Sequence, residues 1–510
     1  MDRPLQRHDR MSAQELGDQA IWSFIGYVFT FLVGMPLQVV ITRAVGAEGL
    51  GTYGLLEAFV AALATVLSFG LARSIGKFAP QLIDRRQYSA IRYVVRRDII
   101  ILSCAGLMVV IAVALFRDRI AAYVGPRELG LSAFTLAAMM VPLSLLLFYY
   151  QQLLRGFLAV RQIILGTSVI QLSTKAAVCV CAFYFGMRVN GLVLAAVVSS
   201  FVAVVYLAWS ANLRISAARA ESDNTEGCFR SDYAAFARNQ YKSSLLDLTT
   251  THVDRYLLAF LANVSAVGVF GVANMLAQMP NVFLQIFVAA SSPLFARAKS
   301  RGDFDYALGV YHLSVDWAVR LSYPFFIFLA VFAHPVLNIY GAEFATKGEA
   351  TLYVLLFASA LNALTGPLGM FLRMWGGERA ILRLQLLIQL VHLGGNFILI
   401  PTLGLMGAGL ASATSMIVAT VAGYATAWRI LNIRWYDDRY WRWVLPLLGF
   451  SLLSVWIRVT NVVELSIFNL IVLFLVLNIF FHLSFLPFGL HRDDKTLVDM
   501  IVGRLRRTHA

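Results

Sequence analysis

The sequence predicts an all-α polytopic membrane protein of fourteen transmembrane helices, built as two six-helix bundles plus two extra C-terminal helices. Three observations carry this. Of 510 residues, 59% are hydrophobic and only 14% charged, against about 45–50% apolar and about 25% charged in soluble chains. Lipid has to be the solvent for that much apolar surface. Apolar runs long enough to cross ~30 Å of hydrocarbon recur along the whole chain. The pattern of the first half then returns at an offset near 217 residues.

The spans are expected at 21–42, 54–72, 98–116, 131–154, 163–185, 189–210, 243–262, 266–290, 311–332, 351–370, 384–401, 405–428, 443–460 and 464–486. A polar start without a small-residue cleavage site predicts that the first is a retained helix, not a removed signal peptide. With the N-terminus inside, the inner segments carry 32 of the 42 Lys and Arg residues and the outer segments seven. That bias predicts both termini on the cytoplasmic side of the membrane and an even number of crossings. It also accounts for the net charge of +14 through topology and contact with anionic lipid heads, without nucleic acid. Cys104, Cys179, Cys181 and Cys228 read as small apolar fillers rather than a metal set.

The repeat sets the domain plan. ITRAVGAEGLGTYGLLEAF (41–59) aligns with LAFLANVSAVGVFGVANML (258–276), bringing Gly51, Tyr53 and Gly54 onto Gly268, Phe270 and Gly271. Tyr123 falls on Tyr340 at the same offset, Arg155 and Arg161 on Arg373 and Arg379 at 218, and VNGLVLA (189–195) on LMGAGLA (405–411) at 216. A shift of six spans keeps orientation, so the repeat is parallel. The expected parts are a cytoplasmic N-terminus (1–20), an N-terminal bundle (21–210) and a cytoplasmic linker (211–242). A C-terminal bundle (243–430), helices 13 and 14 (431–487) and a cytoplasmic tail (488–510) follow. Two such bundles suggest alternating access, with the substrate bound at their interface near the midplane.

GLGTYG (49–54) spells the G-x-G-x-x-G of dinucleotide-binding folds, but a transmembrane helix, not a strand, precedes it. It reads instead as a tight turn linking spans 1 and 2, with its aromatic ring at the membrane interface. No nucleotide, metal or other cofactor is expected.

ITRAVGAEGLGTYGLLEAF, followed by SFGLARSIGKF and later by IYGAEFATKGEATLYVLL (339–356) and GLMGAGLASATS (404–415), resembles the polysaccharide-export flippases. These are the Wzx-type translocases of the multidrug/oligosaccharidyl-lipid/polysaccharide superfamily. The resemblance implies export of a polyprenyl-pyrophosphate-linked oligosaccharide to the outer leaflet for exopolysaccharide, O-antigen or capsule synthesis. It implies a lipid-linked glycan as substrate, with anionic lipids and polysaccharide polymerase or export machinery as partners. Other readings are a cation-coupled multidrug exporter of the same superfamily and a peptidoglycan lipid flippase. An enzyme is disfavoured: the longest outer segments, 117–130 and 333–350, are too short for acceptor chemistry.

Polar groups within spans mark candidate sites, because a charge at mid-membrane costs ~2.5–3.5 kcal/mol on insertion scales. In span 7, Asp247, Thr251, His252, Asp254 and Arg255 share one side, with Arg255 a phosphate ligand or, alternatively, a bundle-locking ion pair. Lys175 in span 5 aligns within one residue of His392 in span 11, where Gln385, Gln389, His392 and Asn396 form a polar row. Lys suits a diphosphate and the amides suit sugar hydroxyls; interhelical hydrogen bonding is the plainer alternative. Arg255, Lys175, His392, Gln389, Asn396 and His252 are thus the substrate-binding candidates. Asp247, Asp254, Asp316, Arg320 and Glu57 are the ion-coupling candidates, although Asp316 and Arg320, four apart, can neutralise each other. The segment 73–97, with seven Lys and Arg among Ile91, Val94 and Val95, reads as an amphipathic helix on lipid heads.

Overall fold

A computed structural model describes residues 3–124, 131–217, 226–251, 253–375, 378–433, 441–461 and 466–484, and every element among them is a helix. Its contacts divide the chain into two compact units between Gly268 and Val269.

The first unit holds α1 (Arg3–Leu67), α2 (Leu71–Asp84), α3 (Tyr88–Val124), α4 (Leu131–Gly156) and α5 (Val160–Ile164). A π-helical turn (Leu165–Gln171) leads into α6 (Leu172–Tyr184), followed by α7 (Arg188–Ala217), α8 (Glu226–Thr251) and α9 (Val253–Leu261). α10 (Val264–Gln278) begins here and runs past the division. The 43 apolar residues Ile25–Leu67 of α1 would measure ~65 Å unbroken, about twice the hydrocarbon thickness. Gly46, at φ 71° and ψ −176°, breaks the helix near its middle, as two successive spans require.

That break corrects the expected turn. Residues 49–54 are helical, and the reversal lies before them, at Gly46. In the second copy the chain turns at Ala262 and Asn263, and the Asn263 side chain accepts the Ala266 N–H at 2.7 Å. Gly46 and Asn263 are one repeat apart: one supplies a positive φ, the other an N-cap. The glycines serve close packing. A Cβ on Gly51 would lie 2.9 Å from the Val264 carbonyl carbon and 3.1 Å from the Gly268 nitrogen. A Cβ on Gly268 would lie 2.9 Å from the Ala47 carbonyl carbon and 3.0 Å from the Gly51 nitrogen.

α2 is amphipathic for a readable reason. Leu71, Ile75, Phe78 and Leu82, spaced three or four apart, are buried, while Arg73, Lys77 and Asp84 stay exposed. The expected single helix over 73–97 is two: α2 ends at Asp84, Arg86 takes φ 56°, and α3 starts at Tyr88. Ile91, Val94 and Val95 turn into the core instead of resting on lipid.

A buried polar node ties α8 to this core. Asp98, fully buried, accepts hydrogen bonds from Tyr149 Oη at 3.1 Å, Arg97 Nη2 at 2.8 Å and the hydroxyl of Tyr233 on α8. Tyr233 also donates to the Leu71 carbonyl at 3.2 Å, and Lys77 Nζ lies 3.9 Å over the Phe236 ring. A carboxylate leaves water only when its lone pairs find donors; here tyrosines from α4 and α8 supply them.

The second unit continues with α11 (Asn281–Arg301), α12 (Phe304–Val331), α13 (Ala333–Tyr340), α14 (Ala342–Ala363) and α15 (Leu368–Trp375). Then come α16 (Glu378–Leu403), α17 (Leu405–Leu431), α18 (Trp441–Thr460) and α19 (Ile467–Leu483). Phe295, Tyr311, Phe371 and Trp443 anchor its aromatic core. α16 packs closely on α17, where a Cβ on Gly407 would overlap the Leu399 carbonyl. Among the described residues nine helices are long and apolar enough to cross a membrane. The number is eleven if two bent pairs, α10 with Asn281–Val288 (54°) and α14 with α15 (42°), are single crossings.

Candidate functional site

A cavity of ≈ 610 Å³ opens within the first unit. α1 offers Tyr53 and Glu57, which share one helix face because they lie four residues apart. The π turn and α6 present Gln171 and Lys175, α7 presents Ser200, and α9 presents Arg255. A π turn widens the helix by one residue and often marks a functional position. Its last residue, Gln171, donates from Nε2 to Ser200 Oγ at 3.3 Å.

The charged residues among its described lining are Arg73, Lys175, Arg255 and Glu57, three cations and one carboxylate. Arg255 Nη1 donates to the Gly54 carbonyl at 3.2 Å and lies 3.5 Å from Glu57 Oε2. The two side chains remain 37% and 39% exposed, so their attraction is on the order of 0.2–1 kcal/mol. Lys175 Nζ donates to the Tyr53 hydroxyl at 3.1 Å and sits 5.1 Å over its ring. No carboxylate pairs with Lys175 among the described residues. Tyr53 is 6% exposed; the ring expected at the membrane interface is buried and holds a cation instead.

Of the sequence candidates, Arg255, Lys175 and Glu57 therefore meet around one cavity. Asp254 is not among the lining residues; it begins α9, where a carboxylate complements the helix N-terminus. The Asp247 side chain and His252 lie outside the described residues. Gln389, His392 and Asn396 belong to α16 in the second unit, with Asn396 buried and the other two half-buried. They line no part of the first unit's cavity.

Asp316 and Arg320 form a closed pair in the second unit. Arg320 Nη2 lies 2.7 Å from Asp316 Oδ2, and the Trp443 indole donates to Asp316 Oδ1 at 2.9 Å. With side chains 11% and 3% exposed, the pair joins α12 to α18, one of the two helices outside the repeat. Sequence reasoning missed Gln171, Ser200, Arg73 and the Asp98 node. The only available signal was polarity inside or beside an apolar run, which Gln171 and Asp98 both show.

The chain is similar in structure to an inward-facing multidrug resistance MATE family transporter of the MOP superfamily (TM-score 0.59, 16% identity, 77% of this chain and 95% of that one). The same family in an outward-facing conformation gives a TM-score of 0.58 at 16% identity, over 82% and 96% of the two chains. A MOP superfamily transporter from Pyrococcus furiosus, described as having a binding pocket of reverse polarity, also gives 0.58 at 16% identity, over 82% and 95%. At such identities the likeness shows the fold. No curated protein matches the sequence. The family described as "Polysaccharide biosynthesis protein" matches residues 16–299, a stretch containing every cavity residue named above. The chain is a multi-pass membrane protein with the fold of the MOP superfamily transporters, and it belongs to the polysaccharide biosynthesis protein family.

Proposed function

We propose that the protein is a flippase that carries a polyprenyl-pyrophosphate-linked oligosaccharide from the inner to the outer leaflet. The supporting observation is the charge of the cavity's described lining: three cations to one carboxylate, with Lys175 donating to the Tyr53 hydroxyl. Such a site suits a diphosphate, for which Lys175 is a compact point charge and Arg255 a planar fork. Gln171 and Ser200 add donors and acceptors suited to sugar hydroxyls. The cycle involves no covalent chemistry: the cavity opens to the cytoplasmic side of the inner membrane, takes the head group and releases it outside. A multidrug exporter for cationic aromatic substrates calls for an acidic or apolar site, and Glu57 is the one carboxylate among the cavity's described lining residues.

The test is genetic and chemical. Deleting the gene is expected to accumulate a polyprenyl-linked glycan on the inner leaflet, and its absence refutes the flippase reading. Lys175→Met removes a charge-assisted contact of about 1.5–3 kcal/mol and is expected to cut export at least about tenfold, with normal membrane insertion. Full export by that variant refutes the site assignment.

A further inference from the structure

Two of the ion pairs among the described residues differ in kind. Asp316 and Arg320 are 2.7 Å apart, almost wholly buried and sealed by the Trp443 indole. Glu57 and Arg255 are 3.5 Å apart, both more than a third exposed, and face the cavity. Charge-assisted N–H···O contacts are normally about 2.7–2.9 Å. The cavity pair is therefore loose, and its guanidinium spends one donor on the Gly54 carbonyl while the fork carries five. A loose, wetted pair exchanges partners at little cost; a sealed one does not.

We propose that Glu57 is a resident counter-ion, holding Arg255 while the cavity is empty and yielding it to the phosphate groups of the substrate. The inference rests on reading the cavity as an anion site. The diphosphate diester brings more charge than one carboxylate and two non-bridging oxygens on each phosphate, so it displaces Glu57 when it enters. Lys175, which pairs with no carboxylate among the described residues, makes first contact. When the diphosphate leaves, Glu57 restores the pair, so Arg255 is never left uncompensated in a membrane-embedded cavity. Glu57 is thus a specificity residue: it sets how much negative charge a head group needs to win Arg255.

The experiment uses the full chain in lipid nanodiscs, titrated with inorganic pyrophosphate at fixed ionic strength. Glu57→Gln is expected to bind pyrophosphate about two- to fivefold tighter, the range set by an exposed ion pair. In an Arg255→Met background the same change is expected to have no effect, because the competitor acts through Arg255. Lys175→Met separates the two levels of the argument. If it weakens binding while Glu57→Gln leaves it unchanged or weaker, the counter-ion role falls and the anion site stands. A gain that persists without Arg255 also overturns the proposal, since it reports only the removal of a negative charge. No pyrophosphate binding by wild type or Glu57→Gln overturns both readings. Should Glu57→Gln fail to give a monodisperse protein, Glu57→Asp withdraws the carboxylate by one methylene and is expected to tighten binding less, in the same direction.

Discussion

Gly51→Ala adds one methyl where α1 meets the start of α10, and the geometry decides its sign. In an exposed helix the change gains up to about 1 kcal/mol in propensity. Here the new Cβ overlaps the Val264 carbonyl oxygen and lies 2.9 Å from its carbon. These are backbone atoms, which cannot swing aside like the end of a side chain, so the helices have to part. Overpacking of this kind costs about 1–3 kcal/mol, more than the propensity gain. Gly271→Ala, one turn along α10, meets nothing within 4 Å and is expected to be neutral or stabilising. Gly268→Ala repeats the Gly51 clash against Ala47, and one separation of the helices relieves both. The double variant is therefore expected to cost less than the sum of the singles, as coupled neighbours do. Thermal unfolding in one detergent at one protein concentration reads all four variants. A Gly51→Ala protein as stable as wild type, or fully additive costs, refutes the close backbone crossing.

Asp98→Ala takes the acceptor from the buried Tyr149 hydroxyl and leaves Tyr233 to the Leu71 carbonyl, and is expected to destabilise by about 1–3 kcal/mol, read as loss of monodisperse protein. Tyr233→Phe removes one donor and is expected to cost about 1–3 kcal/mol, with easier proteolysis of α8 as a second readout. Trp443→Phe keeps an aromatic ring but loses the pyrrole part of the indole and with it the hydrogen bond to Asp316. It is expected to lower the unfolding midpoint by an amount corresponding to about 1.5–3 kcal/mol, and an unchanged midpoint counts against the α12–α18 link.

Helix placement was legible because it depends on local facts. Long apolar runs put a helix near each expected span, and the offset of 217 brings out Gly51 and Gly268 from the sequence alone. Turn positions were less legible. Glycine promises both reversal and close approach, and only the backbone shows that Gly46 turns while Gly51 packs. Arg255 and Lys175 stood out as charges inside apolar runs. Their shared cavity did not, because Tyr53 and Lys175 are 122 residues apart and Glu57 and Arg255 meet across the bundle. Asp98 went unnoticed for a related reason: at the end of a basic stretch it reads as solvated, and its tyrosine partners come from distant helices. Polarity along one helix does not reveal which neighbour faces it.

The crossing of Gly51 and Gly268 is its own image under the repeat, because Ala47 and Val264 are also one offset apart. That is the property of an isologous dimer interface, in which one patch meets itself. Two separate half-length chains would form such a contact only at concentrations above their dissociation constant. Joined in one chain, α1 and the start of α10 meet at an effective concentration set by the residues between them, and their pairing no longer depends on how much protein is made. Identity between the copies then ceases to be required. Gly46 and Asn263 already show the result: the same reversal, made in one copy by an unusual φ and in the other by a side-chain cap.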